Sequence, residues 1–308
     1  MLKNLEKLVD RAFDWLVQNL ELFDPIADRG RVDLFYTKAI CELSLMCMLY
    51  ARVNSDHTDD RINSIVSFIY QVCRHPCFRD HIIRQPDKLR LFDMPYVALM
   101  HFGIKDPVAG EIIQRVVDQR YAIAVETVPF RMLDLRHTLD GGGFKHPLPP
   151  YEQIYNYTLL AKNPSAVYLT DLDAYCVTHT LFYLADFGFR PIVEIPEEHL
   201  STVRSLVGQL LGVYVRHEHW DLVGELLLSC RCLRWSPAYV FVAAWTALLD
   251  AQLPDGSISG PEFSLKEVHQ ENQSKQRRYS FRANYHTTLV SVMACVLSYS
   301  WMKNQVLQ

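Results

Sequence analysis

The stretch TDLDAYCVTHTLFYLADFG, residues 170–188, carries side chains whose types and spacing suit acid/base chemistry. On a helix of 3.6 residues per turn, Asp171, Tyr175, Thr178 and His179 fall within about 80° of one another. No Lys, Arg or Glu occurs in this stretch, so the helix has no obvious solvent face and we expect it to be buried. A neutral histidine beside a carboxylate can act as a general base, because the carboxylate fixes its tautomer and raises its basicity. We therefore predict His179 as a base, oriented by Asp171, with Tyr175 as an acid.

A second histidine begins another apolar helix, in the sequence YHTTLVSVMACVLSYSW at 285–301. Both segments contain a Tyr and a His near a Thr, followed by an apolar helix, which suggests an internal repeat. We predict His286 as a further acid or polarising group. Thr178 and Tyr285 are predicted to bind the substrate.

Several of these side chains also have purely structural interpretations, which remain open at this point. Thr170 and Asp173 have the T-x-x-D spacing of a helix capping box. Asp171 would then be a first-turn carboxylate that the helix dipole favours. His179 could be a hydrogen-bonded core histidine, and His286 a first-turn residue bonded to a neighbouring loop.

The segment VETVPFRMLDLRHTLDGGGFKH, residues 125–146, concentrates charge around a short predicted helix. Arg131 and Asp134 are three residues apart, a spacing that also fits ion pairs on a surface helix. The functional alternative is a cluster at the mouth of a cavity that binds an anionic substrate. On that alternative, Arg131 is the predicted anion anchor.

Apolar residues recur at helical spacing through nearly the whole sequence, and sustained two-residue alternation is almost absent. No linker is long or biased enough to separate domains, so we predict a single all-helical domain over residues 1–308. The polar run at 266–278 is predicted to be a mobile loop. The predicted helices are 3–20, 33–53, 58–74, 78–84, 87–102, 106–124, 128–139, 150–162, 170–188, 196–233 with a break near Trp220, 237–252 and 285–303.

Composition narrows the class of protein. The 308 residues are 49% hydrophobic and 21% charged, with a formal net charge of −4, an ordinary balance for a globular protein. Basic residues are not clustered densely enough for a nucleic-acid footprint, and no apolar run reaches the roughly 18 residues of a membrane span. The start of the chain is an amphipathic helix with scattered charges rather than a signal peptide. We therefore expect a cytoplasmic protein whose partner is a small-molecule substrate, with no nucleic acid and no membrane. Nothing in the sequence fixes its oligomeric state.

The stretch WTALLDAQLPDGSISGP, residues 245–261, is an apolar helix that ends in Q-x-x-D-G-S. Asp-Gly is typical of a tight turn, and the Gln side chain can bridge free backbone groups at a helix end. The pattern resembles the repeated helix-end motif of the terpene cyclases and the prenyltransferase β-subunits, although Ile258 stands where squalene-type cyclases have Trp. The resemblance implies an α/α toroid of about six helical hairpins. An α-helical solenoid is the alternative.

The same resemblance implies an alternative role for the polar groups, as zinc ligands. Prenyltransferase β-subunits bind zinc through an Asp, a Cys and a late His in the sequence YHT, which YHTTLVSVMA resembles. The corresponding ligand set here is Asp173, Cys176, His179 and His286. The match is incomplete, because the family has D-x-C where this chain has D-A-Y-C.

Three functions from different classes follow. The leading one is a small-molecule enzyme of secondary metabolism, a cyclase, lyase or isomerase that works without a cofactor. The second is a zinc-dependent transferase or cyclase of prenyltransferase-like type. The third is a non-catalytic helical scaffold or peptide-binding module. Both enzyme interpretations require that His179 and His286 lie near each other.

Overall fold

The computed structural model describes residues 2–27, 31–54, 59–236, 238–264 and 273–306. These residues form mainly α-helix, which confirms the all-α class. The fourteen α-helices among them are α1 Leu2–Gln18, α2 Leu34–Val53, α3 Asp60–Arg74, α4 Pro76–Arg84, α5 Leu89–His101, α6 Pro107–Asp118, α7 Tyr121–Ala124, α8 Pro129–Gly141, α9 Tyr151–Tyr155, α10 Asp171–Ala185, α11 Glu197–Arg216, α12 Trp220–Cys232, α13 Ala238–Asp250 and α14 Gln273–Val306.

Short elements complete the described part of the chain. Five 3-10 helices lie at Leu20–Phe23, Pro86–Lys88, Leu160–Lys162, Ala166–Tyr168 and Asp186–Gly188. Strands β1 (Ile26–Ala27) and β2 (Arg31–Val32) pair antiparallel, with Ile26 opposite Val32. The toroid or solenoid arrangement of the helices stays a prediction.

The chain forms two compact units. Unit 1 comprises Met1–Gln18 and Tyr155–Gln308, and unit 2 comprises Asn19–Ile154. Whether these two units form the single domain predicted over residues 1–308 stays a prediction.

Helix α12 is the centre of unit 1. It packs against α10, α11, α13 and α14, and eleven of its thirteen residues are buried. A helix that is covered on all sides must be apolar unless its polar groups are paired. Any charged side chain on α12 therefore needs partners from the neighbouring helices.

Unit 2 is built around α2 and α5, which pack against each other, with α3 against both and α8 against α5. Helix α2 is long and apolar enough to cross a membrane by length and composition, and half of its most apolar window is buried within the structure. Buried core helices pass the same test, so this property does not locate the protein.

The turn after α13 has the structure that its sequence predicts. Gln252 Nε2 donates to the carbonyl oxygens of Leu8, at 3.0 Å, and Gly256, at 2.9 Å, and so ties α1 to the turn. Gly256 has φ +99°, and a Cβ there would lie 2.3 Å from the carbonyl oxygen of Arg11. Both the left-handed backbone and the close approach require glycine. The predicted bridging role of the Gln and the tight Asp-Gly turn are confirmed.

Helix α14 starts earlier than the sequence suggested. The predicted helix was 285–303 with a loop at 266–278, whereas α14 begins at Gln273. The loop prediction is therefore wrong for residues 273–278, and residues 265–272 lie outside the described part. The polar start of α14 shows no apolar stripe, and for that reason periodicity did not find it.

The predicted helix 150–162 is also wrong in extent. Only the single turn α9 and the 3-10 helix Leu160–Lys162 form there. The Thr158 hydroxyl donates to the carbonyl of Tyr155 at 2.8 Å and accepts from the amide of Ala161 at 3.4 Å. A hydroxyl that bonds nearby backbone groups competes with helical hydrogen bonds, which accounts for the interruption. The predicted break near Trp220 is confirmed, because α11 ends at Arg216 and α12 starts at Trp220.

Candidate functional site

Two buried carboxylates lie one turn apart on α12. Asp221 is 3% exposed and Glu225 is 1% exposed. Side chains four residues apart face the same side of a helix, so both carboxylates point toward the same neighbours. Burying a charge is costly unless it is paired and hydrogen-bonded, and each carboxylate indeed has such partners.

Hydroxyl groups donate hydrogen bonds to both oxygens of Asp221 and to one oxygen of Glu225. The Tyr175 hydroxyl on α10 donates to Asp221 Oδ2, and the Thr178 hydroxyl donates to Glu225 Oε2. From α14, the Thr287 hydroxyl donates to Asp221 Oδ1 at 3.4 Å. These bonds fix the orientation of both carboxylate planes.

His179 lies beside Glu225 on the α10 side. Its Nδ1 is 2.9 Å from the carbonyl oxygen of Tyr175 and 3.5 Å from Glu225 Oε2. A carbonyl oxygen can only accept, so Nδ1 carries a proton and donates it. In the neutral ring, the Nδ1-protonated tautomer then has its free lone pair on Nε2. A general base that accepts a proton at Nε2 requires this tautomer.

His286 faces the remaining oxygens from α14. Its Nε2 is 3.4 Å from Asp221 Oδ1 and 3.8 Å from Glu225 Oε1. The side chains of His179 and His286 are 18% and 25% exposed, whereas those of the two carboxylates are almost fully buried. The two imidazoles are therefore more accessible to solvent than the carboxylate pair that they contact. We call Tyr175, Thr178, His179, Asp221, Glu225 and His286 the His–carboxylate cluster.

The electrostatics of the cluster follow from burial and from the paired charges. Burial acts to raise the pKa of Glu225, but the charge of His179 and the hydrogen bond and charge of His286 outweigh it and lower that pKa. Burial, followed by the charges of Asp221 and Glu225, raises the pKa of Tyr175 far above its ordinary value of 10.0. Glu225 is thus held as an anion, and Tyr175 is held as a hydrogen-bond donor. The raised pKa does not suit the predicted acid role of Tyr175, whose hydroxyl hydrogen bond is made to Asp221.

A family profile described as a domain of unknown function, DUF6895, matches residues 9–296. The chain belongs to the DUF6895 family. No curated protein and no solved structure matches it. The match covers most of this DUF6895 chain, including all six residues of the cluster.

The structure brings together four of the site residues predicted from the sequence. Tyr175, Thr178, His179 and His286 all contact Asp221 or Glu225. The two histidines contact the side chain of one residue, Glu225. The proximity that both enzyme interpretations required is therefore present.

Asp171 has a different position from the one predicted. Its Oδ1 accepts a hydrogen bond from the Tyr214 hydroxyl at 2.9 Å, and its Oδ2 is 3.9 Å from His219 Nε2. The carboxylate beside His179 is Glu225, so the prediction that Asp171 orients His179 is wrong. Asp171 is the first residue of α10, and 65% of its side chain is exposed to solvent.

Tyr285 and Arg131, both predicted to bind substrate, lie elsewhere. Tyr285 is buried, and its ring stacks on Phe281 with centroids 5.3 Å apart. Arg131 belongs to unit 2, where its Nη1 is 3.4 Å from Asp134 Oδ2 and where it lines a cleft of about 150 Å³. Tyr285 supports the core under α14, and Arg131 forms the ion pair that its spacing predicted.

The capping interpretation of Thr170 and Asp173 is confirmed. The Asp173 amide donates to Thr170 Oγ1 at 3.3 Å, and the Thr170 amide donates to Asp173 Oδ2 at 2.9 Å. The Thr170 amide and the Thr170 hydroxyl, at 2.7 Å, both donate to Asp173 Oδ2, and these two bonds lower the pKa of Asp173. Of the predicted zinc ligands Asp173, Cys176, His179 and His286, Asp173 is thus committed to the helix start. Among the described residues, the donor atoms that converge within 4.8 Å of one another belong to Asp221, Glu225 and His286.

Asp221 and Glu225 were not among the site residues predicted from the sequence. Their signal was present, because WDLVGELLLSC places two carboxylates four residues apart in an otherwise apolar helix. A charged pair on one face of an apolar helix is either exposed or paired inside the protein.

Proposed function

We propose that this chain is an enzyme that performs acid/base chemistry on a small molecule at the His–carboxylate cluster. The observation that supports it most is that two partly exposed histidines share one buried pair of carboxylates. Groups with perturbed ionisation, gathered at an accessible position, are typical of catalytic sites. The proposed reaction class is that of a cyclase, lyase or isomerase in secondary metabolism.

In this proposal His179 is the general base. Nδ1 is held by the Tyr175 carbonyl, so the lone pair of Nε2 removes a proton from the substrate. Glu225, held as an anion, stabilises the imidazolium that forms, and thereby lowers the cost of the proton transfer. The proton that His179 takes up returns to another atom of the substrate or to its leaving group, so that the base is regenerated.

His286, supported by Asp221 and Glu225, faces the negative charge that develops on the substrate. A positively charged or proton-donating group at that place stabilises the transition state more than the ground state. Tyr175, Thr178 and Thr287 position the two carboxylates and do not touch the substrate. The α/α toroid is part of this proposal, supported by the Gln252 turn at the end of α13.

The test compares metabolites in cells that produce the wild-type chain or its variants. The wild type should consume one or more metabolites, and the His179→Gln variant should not, because glutamine offers no basic nitrogen. When the imidazolium of His179 exchanges its proton with deuterium oxide before returning it, the product should carry deuterium at the atom that receives it. His219→Asn is the matched control, since it removes another histidine that contacts a carboxylate in unit 1.

Two results would reject the proposal. One is that wild type and His179→Gln give identical metabolite profiles while both remain folded by circular dichroism. The other is that His219→Asn loses as much turnover as His179→Gln. The first result would favour the non-catalytic scaffold, in which the cluster only joins α10, α12 and α14. The second would show that turnover does not depend on His179 in particular.

A further inference from the structure

We propose that Asp221, Glu225 and His286 bind one divalent transition-metal cation. The metal site adds a ligand to the proposed function. Only the role of the cation during catalysis rests on that proposed function. Binding itself is a property of the three side chains and can be measured without a substrate.

The distances between the donor atoms fit a single cation. His286 Nε2 is 3.4 Å from Asp221 Oδ1 and 3.8 Å from Glu225 Oε1, and the three ligand atoms lie within 4.8 Å of one another. Two metal–ligand bonds of ~2.1 Å at a tetrahedral angle separate their donor atoms by about 3.4 Å. A cation between these atoms therefore requires only small movements of the side chains.

The surroundings are those of a supported metal site. The opposite oxygen of each carboxylate accepts a hydroxyl hydrogen bond, Asp221 Oδ2 from Tyr175 and Glu225 Oε2 from Thr178. Asp221 Oδ1 and Glu225 Oε1 then face the third ligand, His286 Nε2, and Asp221 Oδ1 also accepts a 3.4 Å hydrogen bond from the Thr287 hydroxyl, which leaves its second lone pair for a cation. Partners of this kind orient metal ligands, and their loss typically weakens metal affinity.

Charge also favours a cation. Two nearly fully buried carboxylates carry two negative charges, and a divalent ion would balance both at once. The ligand set of two carboxylate oxygens and one imidazole nitrogen suits first-row transition metals such as Zn²⁺, Mn²⁺ or Co²⁺ better than Ca²⁺ or Mg²⁺, which prefer all-oxygen sites. In the enzyme, the cation would take over the polarising role at this end of the cluster, and His179 would remain the base.

The test titrates chelator-treated protein with Co²⁺ and records the visible absorption of the bound Co²⁺. Zn²⁺ is then added to displace it. We expect one saturable equivalent in the wild type. Glu225→Gln and His286→Asn should each weaken Co²⁺ binding by at least tenfold, and Tyr175→Phe should weaken it by about 10- to 100-fold as a positioning variant. His219 caps α12 by accepting from the Leu222 amide at 3.3 Å, and an asparagine can replace it in that role, so His219→Asn should bind like the wild type.

Two outcomes would overturn the metal proposal. One is that the wild type shows no saturable Co²⁺ site. The other is that Glu225→Gln, His286→Asn and His219→Asn bind as the wild type does, which would indicate adventitious binding. His286→Asn keeps the test valid if Glu225→Gln fails to fold, because His286 is partly exposed. A metal-free protein that still shows turnover dependent on His179 would leave the proposed function intact, and a metal-bound protein without turnover would leave the metal site intact.

Discussion

Replacing Glu225 with glutamine tests whether the buried carboxylate is stabilised by its histidine partners. The substitution keeps the size of the side chain and an oxygen that can accept from Thr178. It removes the negative charge that lies 3.5 Å from His179 Nδ1 and faces His286 Nε2 at 3.8 Å. The variant protein should be less stable than the wild type when both are free of metal.

The size of the effect follows from two opposing energies. When an imidazole beside Glu225 is protonated, the two unit charges about 4 Å apart attract by ~4 kcal/mol at an effective dielectric constant of ~20. Taking a carboxylate out of water costs several kcal/mol, which offsets much of that attraction. A net loss of about 2 kcal/mol remains, because the wild-type carboxylate has two imidazole partners and a hydroxyl donor. For a chain of this size, that loss lowers Tm by roughly 3 °C.

The assay is thermal unfolding of chelator-treated protein followed by circular dichroism. Glu111→Gln serves as the matched control, because Glu111 pairs with Arg115 on an exposed helix surface. Exposed pairs contribute little, so the control should lie within ~0.5 kcal/mol of the wild type. Equal Tm values for wild type and Glu225→Gln would refute the claim that the histidines stabilise this carboxylate.

Three further predictions concern the fold. Burial raises the pKa of Asp93 well above 3.8, so the folded protein keeps a proton that the unfolded chain loses, and the contribution of Asp93 to stability should fall as pH rises from 4 toward 7. The Tm of Asp93→Asn, which does not titrate, should therefore rise relative to the wild type over this range, and a constant difference would contradict the argument. Thr170→Ala removes the cap shared with Asp173 and should cost about 1 kcal/mol in urea unfolding, whereas Thr170→Ser should restore nearly all of it. Gly256→Ala forces a Cβ toward the Arg11 carbonyl at a positive φ and should lower stability by more than ~2 kcal/mol, so a variant that unfolds at the wild-type urea concentration would show that the turn adapts.

Local sequence rules predicted much of the helical structure. The spacing T-x-x-D gave the start of α10, and Q-x-x-D-G-S gave the turn after α13, because both depend on residues within one turn of the chain. The start of α14 was not found, since its first residues are polar and carry no stripe. The 150–162 helix failed because periodicity does not register a threonine hydroxyl that competes for backbone groups.

The sequence predicted the histidine and hydroxyl side chains of the candidate site but not its two carboxylates. Helical projection put Tyr175, Thr178 and His179 on one face, and these residues share the carboxylates Asp221 and Glu225 with His286. Their carboxylate partners lie 46 and 47 residues away from Tyr175 and Thr178 along the chain. A projection of one helix cannot decide which carboxylate a histidine meets, because packing of α10 on α12 makes that choice. Asp171 was therefore favoured by proximity in sequence over Glu225.

The most direct test of the central claim is an NMR measurement of the imidazole nitrogens in the wild type and in Glu225→Gln. The account predicts that neutral His179 carries its proton on Nδ1. It also predicts that the signals of both His179 and His286 shift when Glu225 becomes glutamine. His81 of unit 2, whose Nδ1 likewise faces a carbonyl, at Cys77, should keep its signals. Unchanged signals of His179 and His286 would contradict the claim that the two histidines share one buried carboxylate.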